Sequence, residues 1–568
     1  MPDLLHVTPP RLPLASAHWP AVAGSGIRET TIGSVLRAAA QRAPAVTALV
    51  DGDPERQERR QWTYAALLAD AERAARALLT RFAPGERVAV WAPNSPEWVI
   101  LEFAAAMAGL TLVTVNPAYQ GDELAHVLGH SAADGLFLVD RLQGRDMHAI
   151  LADVRNRLPR LRDVITFGEW DAFTADGTAG ELPEVDPASP AQVLYTSGTT
   201  GPPKGALLTH RGLTNNARLT FETAGIGPGD VEVNPMPMFH VGGSCLFTLG
   251  PVQATATQVL MPRFSPALQL ELIETHQATI LCGVPTMLRA LLGHPDLAKR
   301  DVSTLRRALS GGAVSPPALV HEVEAKLGVT YSIAFAQTEA SCSITVTTAA
   351  DSAEDRAQTL GRPLPHTEAR IADLRTNETA RCGEVGEICT RGYLVMRGYL
   401  NAPAETAAAI DADGWLHTGD LGSMDERGYL RIAGRLKEMI IRGGENIYPR
   451  EIEEVLVAHP AVADASVIGL PDDYYGEVVG AAIRLADAGD AGRDLSADLA
   501  DYCAARLAAE KVPVRWLLTD VFPMTASGKI RKDALRGMLS QVPVDLSGYF
   551  RIRTFWPGGV IVEDFRVM

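Results

Sequence analysis

The chain has 568 residues, of which 46% are hydrophobic and 21% are charged, a composition typical of globular proteins. Its length exceeds what one hydrophobic core usually serves, so two or more domains are expected. The formal net charge of -16 argues against binding to nucleic acid or to an anionic membrane surface, because such partners would repel the chain.

Neither secretion nor membrane insertion is indicated. Residues 1–16 lack a basic segment followed by an apolar core, which a secretory signal would need. The most apolar long stretch, 99–115, is interrupted by Glu102 and Gly109 and favours a buried helix followed by a buried strand over a membrane span. The six cysteines include no Cys-x-x-Cys pair, so neither a disulfide framework nor structural zinc is expected. We therefore expect a reducing, cytoplasmic location.

The larger part of the chain alternates apolar strands with amphipathic helices. Helices are predicted over 62–82 and 96–109, and strands over 87–92, 110–115, 135–139, 254–261, 278–282 and 307–310. Strands that alternate with helices predict parallel sheets with crossover helices, and hence an α/β fold.

The composition of the sequence changes around 414–444, where glycines, charged residues and short predicted strands replace the long predicted helices. A compact α+β unit follows, with predicted helices over 449–458 and 497–510, strands over 463–468 and 477–485, and a loop over 521–529. We predict a large α/β domain over 1–434, a small mobile α+β domain over 435–540, and an extra tail over 541–568. In the tail, 549–556 and 560–565 flank Pro-Gly-Gly, which predicts a β-hairpin.

The strongest local motif, 193–205, is an apolar strand that runs into a turn rich in hydroxyl groups and glycine and ends at Lys204. Glycines let backbone N–H groups approach phosphate oxygens, hydroxyl groups add donors, and the lysine adds a cation. The Walker A pattern does not fit, because Pro203 occupies one of its glycine positions. The order of strand, loop and lysine favours a phosphate-binding loop over an ordinary polar surface loop.

The segment 196–204 resembles the phosphate loop of the adenylate-forming superfamily, which contains acyl-CoA synthetases, peptide-synthetase adenylation domains and luciferases. Further motifs of that family follow in the expected order and cover roughly 31–536. They are the acyl-pocket segment 237–243, the turn 310–313, the Thr-Glu element 335–339, the ribose-binding segment 415–420, the hinge 434–438 with the loop 443–446, and the catalytic-lysine loop 523–529.

The resemblance implies a reaction in which a carboxylate attacks the α-phosphorus of ATP, and the charge that develops must be offset by cations and magnesium. It assigns catalytic roles to Lys529, Lys204, Glu339 and His240. Glu339 and Thr196 are the implied ligands of Mg²⁺, which prefers oxygen donors.

The resemblance also implies a set of nucleotide contacts, in which Phe335 stacks on adenine, Thr338 donates to phosphate, Asp420 accepts from the ribose and Arg435 reaches ribose or phosphate. Phe335 stands where the family more often has tyrosine, and Ala336 where it has glycine. The whole predicted ATP-binding set is Thr196, Ser197, Gly198, Thr199, Thr200, Gly201, Lys204, Gly312, Phe335, Thr338, Asp420, Arg435 and Lys529.

The remaining implied roles concern the second reaction and the acid. Lys437 is the implied hinge, about which the small domain would rotate to withdraw Lys529 and bring Gly443 and Gly444 to coenzyme A. The implied acyl pocket contains His240, Gly242 and Gly243.

Together these motifs predict an ATP-dependent acyl-CoA ligase, with magnesium and coenzyme A, that acts on a short- to medium-chain fatty acid. Its expected partners are small molecules, with no nucleic acid and no membrane span, and the sequence leaves a homodimer open. Loading of a separate carrier protein, luciferase-like oxygenation and a catalytically silent ligand-binding homologue are the alternatives.

Overall fold

Helices and β-sheets alternate through most of the chain in this computed structural model, and strands and helices are numbered here in chain order. The structure describes residues 12–55, 59–177, 180–196, 203–486, 495–524, 530–541, 550–556 and 559–564. Three large sheets precede residue 436, and a fourth follows it in the described part of the chain.

A nine-stranded sheet forms one half of the large domain and is parallel through its centre. Its strands, in order across the sheet, are β18 (Arg362–Pro363), β17 (Cys342–Val346), β16 (Thr330–Gln337), β15 (Arg307–Gly311), β14 (Ile280–Cys282), β12 (Val231–Asn234), β13 (Thr257–Leu260), β2 (Thr47–Asp51) and β3 (Gln61–Thr63). The predicted helix over 62–82 is wrong at its start, because residues 61–63 pair with β2 and the helix begins at Tyr64.

A seven-stranded sheet forms the other half and is also parallel through its centre, from β10 to β9. Its strands, in order, are β21 (Gly398–Tyr399), β11 (Lys204–Thr209), β10 (Pro190–Thr196), β5 (Thr111–Thr114), β4 (Arg87–Trp91), β6 (Gly135–Leu138) and β9 (Asp163–Thr166). A separate hairpin joins β7 (Arg141–Leu142) to β8 (Arg145–Asp146). The predicted α/β class and parallel sheets are confirmed.

Thirteen α-helices are described among these sheets: α1 (Ile32–Arg42), α2 (Tyr64–Leu79), α3 (Pro96–Met107), α4 (Gly121–Ser131), α5 (Met147–Val154), α6 (Trp170–Ala175), α7 (His210–Ala224), α8 (Gly250–Ala254), α9 (Pro266–Thr275), α10 (Pro285–Leu292), α11 (Pro317–Leu327), α12 (Ala353–Gln358) and α13 (Pro403–Ala409). Every residue of α3 is buried, and Ser95 caps its N-terminus. The apolar stretch 99–115 is therefore a buried helix and strand, as predicted. Within the described residues, no helix has the length and apolar character needed to cross a membrane.

A five-stranded antiparallel sheet closes the large domain. Its strands are β1 (His18–Trp19), β19 (Thr367–Ala372), β20 (Gly386–Gly392), β22 (Leu416–Met424) and β23 (Leu430–Arg435). The chain leaves this sheet at Arg435 and passes through a single 3₁₀ turn, Leu436–Glu438, into the next sheet at Ile440.

The C-terminal sheet contains β24 (Ile440–Arg442), β25 (Glu445–Ile447), β26 (Val462–Asp472), β27 (Gly476–Leu485), β28 (Arg515–Thr519), β29 (Phe550–Trp556) and β30 (Gly559–Asp564). The associated helices are α14 (Pro449–Val457), α15 (Leu495–Ala504) and α16 (Lys532–Ser540). The predicted helix over 497–510 is too long, since α15 ends at Ala504 and residues 509–511 form a separate 3₁₀ turn. In the tail, β29 pairs antiparallel with β30 and parallel with β28.

Candidate active site

A cavity of about 910 Å³ lies where the carboxyl ends of parallel strands from two sheets meet. The last residues of β5, β10, β15 and β16, which are Thr114, Thr196, Gly311 and Gln337, all line it. Ligands of α/β proteins commonly bind at this edge of a parallel sheet, because the loops that follow the strands converge there.

The two ends of the predicted phosphate loop lie in this cavity. Thr196 and Lys204 pair across β10 and β11, and the Thr196 hydroxyl lies 3.4 Å from the Lys204 carbonyl oxygen. Both residues line the cavity. The loop residues between them that were predicted to bind ATP lie outside the described residues; they are Ser197, Gly198, Thr199, Thr200 and Gly201.

Glu339 lines the cavity from the 3₁₀ turn that follows β16, together with Thr338. The Tyr399 hydroxyl donates a hydrogen bond of 2.7 Å to Glu339 Oε1, and Lys204 Nζ lies 5.2 Å from the centroid of the same tyrosine ring. Burial and the neighbouring carboxylate of Glu339 raise the pKa of Tyr399, so its hydroxyl stays protonated and remains a donor. No sequence motif predicted Tyr399 as a residue of this site, because it lies 60 residues from Glu339 in sequence.

Asp420 and Arg435 are cross-strand partners on β22 and β23. Arg435 Nε lies 2.9 Å from Asp420 Oδ1, and Gln337 Nε2 donates a hydrogen bond of 2.8 Å to the other carboxylate oxygen. The Asp420 side chain is almost completely buried, so its charge depends on these donors. The two predicted residues thus lie together in the cavity, and Gln337 is a third member that the sequence analysis missed.

Phe335 lies elsewhere. Ala334 and Ala336 line the cavity, whereas Phe335 is not among the described lining residues. Its ring packs on the apolar cluster of Ala340, Ile344, Leu394 and Leu416. The predicted stacking of Phe335 on adenine is therefore not supported by this arrangement.

The segment predicted to form the acyl pocket lies at the apolar end of the cavity. His240 and Gly242 line it, and the Gly242 N–H lies 3.3 Å from His240 Nδ1, its acceptor. Gly243 is fully enclosed instead, because a Cβ there would lie 2.1 Å from the Pro237 carbonyl oxygen. The prediction that Gly243 leaves room for the acid is wrong in this respect, since its hydrogen atom permits a backbone contact. Apolar lining residues continue the wall: Met236, Val241, Leu246, Phe247, Leu309 and Cys342.

Gly312 lines the cavity after β15 with a φ of +75°. This backbone conformation is strained for side chains with a Cβ, so glycine suits the turn. Gly443 and Gly444 have φ values of +60° and +92° in the two-residue turn between β24 and β25. Neither is among the described residues that line the cavity, and their role toward coenzyme A stays a prediction.

Four residues line the cavity from the C-terminal side of Arg435, and they include Leu436 and the predicted hinge Lys437. Burial, with Arg435 nearby, lowers the pKa of Lys437. The others are Met524 and Arg531, which flank the segment 525–529. The predicted catalytic Lys529 itself lies outside the described residues.

Among the described residues, we consider two groups that offer donors to a metal ion. Glu339 and Thr196 supply the oxygen donors that Mg²⁺ prefers and line the same cavity, so they fit the predicted ion. Glu387, Cys389 and His417 also converge. There, however, Glu387 accepts hydrogen bonds of 2.8 Å from both His417 Nδ1 and the Gly419 N–H, and burial raises the pKa of the Cys389 thiol to about 12. That cluster is better described as a set of hydrogen bonds that holds β22 to β20.

The family model described as AMP-binding enzyme matches residues 36–400, and the model of the AMP-binding enzyme C-terminal domain matches residues 451–529. The chain belongs to the AMP-binding enzyme family. The predicted superfamily is therefore confirmed, and the two matches flank the 3₁₀ turn Leu436–Glu438, which we call the hinge turn after the predicted hinge Lys437.

Among curated members of the AMP-binding enzyme family, the putative acyl-CoA synthetase YngI of Bacillus subtilis is 40% identical over 538 residues, which cover 89% of this chain and 96% of YngI. The mitochondrial medium-chain acyl-CoA ligase ACSF2 of Macaca fascicularis is 35% identical, with 90% of this chain and 87% of ACSF2 covered. Among solved structures, ATP-bound MatB from Rhodopseudomonas palustris has a TM-score of 0.80 at 29% identity, with 90% of this chain and 99% of MatB covered.

Proposed function

We propose that this AMP-binding enzyme is an ATP-dependent acyl-CoA ligase that acts on a short- to medium-chain fatty acid. One observation carries the proposal: a single cavity brings a polar end, where the ammonium group of Lys204 lies with Thr196 and Glu339, together with an apolar end that begins at Gly242. The first end suits a nucleoside triphosphate with its magnesium ion, and the second suits an alkyl chain.

In the first half-reaction, a carboxylate oxygen of the acid attacks the α-phosphorus of ATP, and pyrophosphate leaves. Asp420 accepts from the ribose hydroxyls, since it lines the cavity and a carboxylate offers about four acceptor positions. Lys204 and Arg531 line the same cavity and offset the negative charge that gathers on the phosphates. Magnesium bound by Glu339 and Thr196 would supply further charge neutralisation there.

His240 orients the acid in this proposal. Its Nδ1 accepts from the Gly242 N–H, so the neutral ring carries its proton on Nε2. His240 lines the cavity beside Gly242, and this position suits a carboxylate whose alkyl chain extends along Met236, Leu246 and Phe247.

Lys529 contacts the α-phosphate and the acid carboxylate during adenylation. The positions of Met524 and Arg531 support this role, because both residues line the cavity and only 525–529, with Ile530, lie between them. Rotation about Lys437 then withdraws this segment and brings the Gly443–Gly444 turn to coenzyme A. The thiol sulfur attacks the acyl carbonyl carbon, AMP leaves, and the thiol proton is released.

The preference for medium-chain acids rests on the wall of the cavity and on the relative ACSF2, whose name states that it is a medium-chain acyl-CoA ligase. We also propose a cytoplasmic location, since all six cysteines fall within the described residues and are free thiols. A homodimer remains a prediction.

The deciding experiment incubates the purified chain with ATP, Mg²⁺ and saturated, branched and aromatic carboxylic acids, with and without coenzyme A. AMP, pyrophosphate and acyl-CoA are measured. Coenzyme A-dependent formation of thioester with a maximum among short- to medium-chain fatty acids supports the proposal. Acid-dependent pyrophosphate exchange without thioester formation would favour a carrier-protein ligase. Absence of nucleotide chemistry with every acid would favour a silent ligand-binding homologue.

A further inference from the structure

Helix α16 and the hinge turn are joined by an ion-pair cluster that the proposed mechanism does not use. Lys532 Nζ lies 2.9 Å from Glu438 Oε2, 3.1 Å from Glu453 Oε1 and 3.5 Å from the Val467 carbonyl oxygen. An ammonium group has three N–H donors, and the three acceptors come from a turn, a helix and a strand. We call Lys532, Glu438 and Glu453 the clamp.

The clamp is partly shielded from water. The side chains of Lys532, Glu438 and Glu453 are 24%, 31% and 23% exposed. Burial alone would lower the pKa of Lys532, but the facing carboxylates outweigh it and raise that pKa. Burial would likewise raise the pKa of Glu438, but Lys532, with Arg435 and Lys437 nearby, outweighs it and lowers that pKa. The three groups therefore stabilise one another as ions, and removing one leaves a partly buried charge without its partner.

The position of the clamp in the chain links it to the cavity. Glu438 follows Lys437, and Lys532 follows Arg531, so each end of the clamp adjoins a residue that lines the cavity. Glu453 also accepts a hydrogen bond of 2.8 Å from the Val467 N–H, which ties the clamp to β26. The clamp thus joins the hinge turn, the far end of the segment 525–529 and the body of the C-terminal sheet.

We propose that Lys532 is a positioning residue for adenylation, which holds the cavity-facing end of the C-terminal domain to the hinge turn. This inference rests on the proposed ligase function with its hinge at Lys437. Because the clamp fixes Glu438 to the C-terminal domain, rotation is confined to Lys437 and the residues before it. Adenylation needs the segment 525–529 at the cavity and therefore needs the clamp. Thioester formation uses the rotated domain, without that segment at the cavity, and therefore does not need the clamp.

The test measures the two half-reactions separately in the full chain. Acid-dependent exchange between ATP and labelled pyrophosphate reports adenylation, and thioester formation is started from a synthetic acyl-adenylate and coenzyme A. The variants are Lys532→Met, Lys532→Arg, Glu438→Gln and the double variant Lys532→Met with Glu438→Gln. Lys511→Met is the matched control, because it removes a lysine paired at 2.7 Å with Glu451 in the same domain, away from the described lining of the cavity.

We expect Lys532→Met to lower the kcat of exchange about tenfold or more, because small misplacements of reacting groups cost this much. We also expect an unchanged KM for ATP, unchanged thioester formation and substantial rescue in Lys532→Arg. The double variant should be no slower than Lys532→Met, since partners in one cluster are not additive. Equal losses in both half-reactions, or equal effects of Lys532→Met and Lys511→Met, would overturn the positioning role. A wild-type chain without exchange on any acid would instead overturn the proposed function, and the inference with it.

Discussion

The hydroxyl of Tyr399 donates a 2.7 Å hydrogen bond to Glu339 Oε1. This contact connects the edge strand β21 with the turn after β16, and the same tyrosine ring faces Lys204. Tyr399 therefore orients the carboxylate proposed to bind Mg²⁺ and also positions the cation of the phosphate loop.

Replacing Tyr399 with phenylalanine should keep the ring under Lys204 and remove the donor to Glu339. We expect adenylation to fall about fivefold to tenfold, since the lost hydrogen bond is to a charged group. The concentration of Mg²⁺ needed for half-maximal exchange should rise. Tyr502→Phe is the control, because the Tyr502 hydroxyl lies 3.4 Å from the Ala458 carbonyl oxygen at an exposed site, away from the described lining of the cavity. An unchanged Mg²⁺ dependence would contradict the orienting role.

Asp420→Asn should raise the KM for ATP more than it lowers kcat. It removes the charge that Arg435 neutralises and that Gln337 stabilises through a hydrogen bond, and with it a charged acceptor for the ribose, which is worth about tenfold to a hundredfold in binding. Asp464→Asn is the matched control, since Asp464 and Arg484 form another cross-strand pair in the C-terminal sheet. A KM for ATP that is equal in the two variants would exclude Asp420 from nucleotide binding.

Gly242→Ala and Gly243→Ala should fail in different ways. A Cβ at Gly243 would lie 2.1 Å from the Pro237 carbonyl oxygen, so that variant should lose about 1–3 kcal/mol of folding stability. At Gly242 the nearest atom to an added Cβ is 3.5 Å away, so the chain should fold and instead discriminate against bulkier acids. Thermal melting and the acid profile of each variant test this, and equal melting temperatures would contradict the packing argument.

Low pH should destabilise the fold through protonation of His210 in the unfolded chain. Burial lowers the pKa of this histidine to about 4, against an ordinary value of 6.5. The unfolded chain therefore binds a proton first as the pH falls from 6.5 towards 4, so stability is lost across that window, by up to about 3 kcal/mol. Melting temperatures of the wild type and of His210→Gln, measured between pH 4 and pH 7.5, should show a shallower pH dependence in the variant. Parallel curves would assign the acid sensitivity to other groups.

Removal of the tail should uncover the edge of the C-terminal sheet. Strand β29 pairs in parallel with β28 through Leu518 and Thr519, so deletion of 541–568 leaves backbone donors and acceptors of β28 unpaired. We expect a lower melting temperature or a change in association state. An unchanged sedimentation profile and melting curve would show that the tail has neither role.

The order of motifs predicted the family and most of the cavity, because a phosphate loop, a ribose-binding segment and a hinge each need particular residue types close together in sequence. Thr196, Lys204, Glu339, Asp420 and Arg435 accordingly meet in one cavity. Tyr399 was missed because its contact with Glu339 depends on how β21 joins the sheet, which no local pattern encodes.

Phe335 and Gln337 show a second reason why the lining of the cavity could not be fully predicted from the sequence. The pairing of β16 with β17 shifts register between Phe335 and Ala336, and such an irregularity changes which side chains face a site. A sequence motif places Phe335 in the right segment without deciding on which side of the strand its ring lies. Helix ends had a similar uncertainty, as at Ala504, where the apolar pattern continues past the last helical residue.

The hinge turn separates two properties of the enzyme along the chain. The described apolar wall around the acid ends at Cys342, whereas Met524 and Arg531 reach the same cavity from beyond residue 438. In the proposed mechanism, the choice of acid and the arrival of the catalytic segment are thus encoded in different stretches of sequence. Mutations around the pocket should therefore change the range of acids accepted without changing the rate of the domain movement. Exchange of the C-terminal domain between relatives should change that rate and leave the acid preference unaltered.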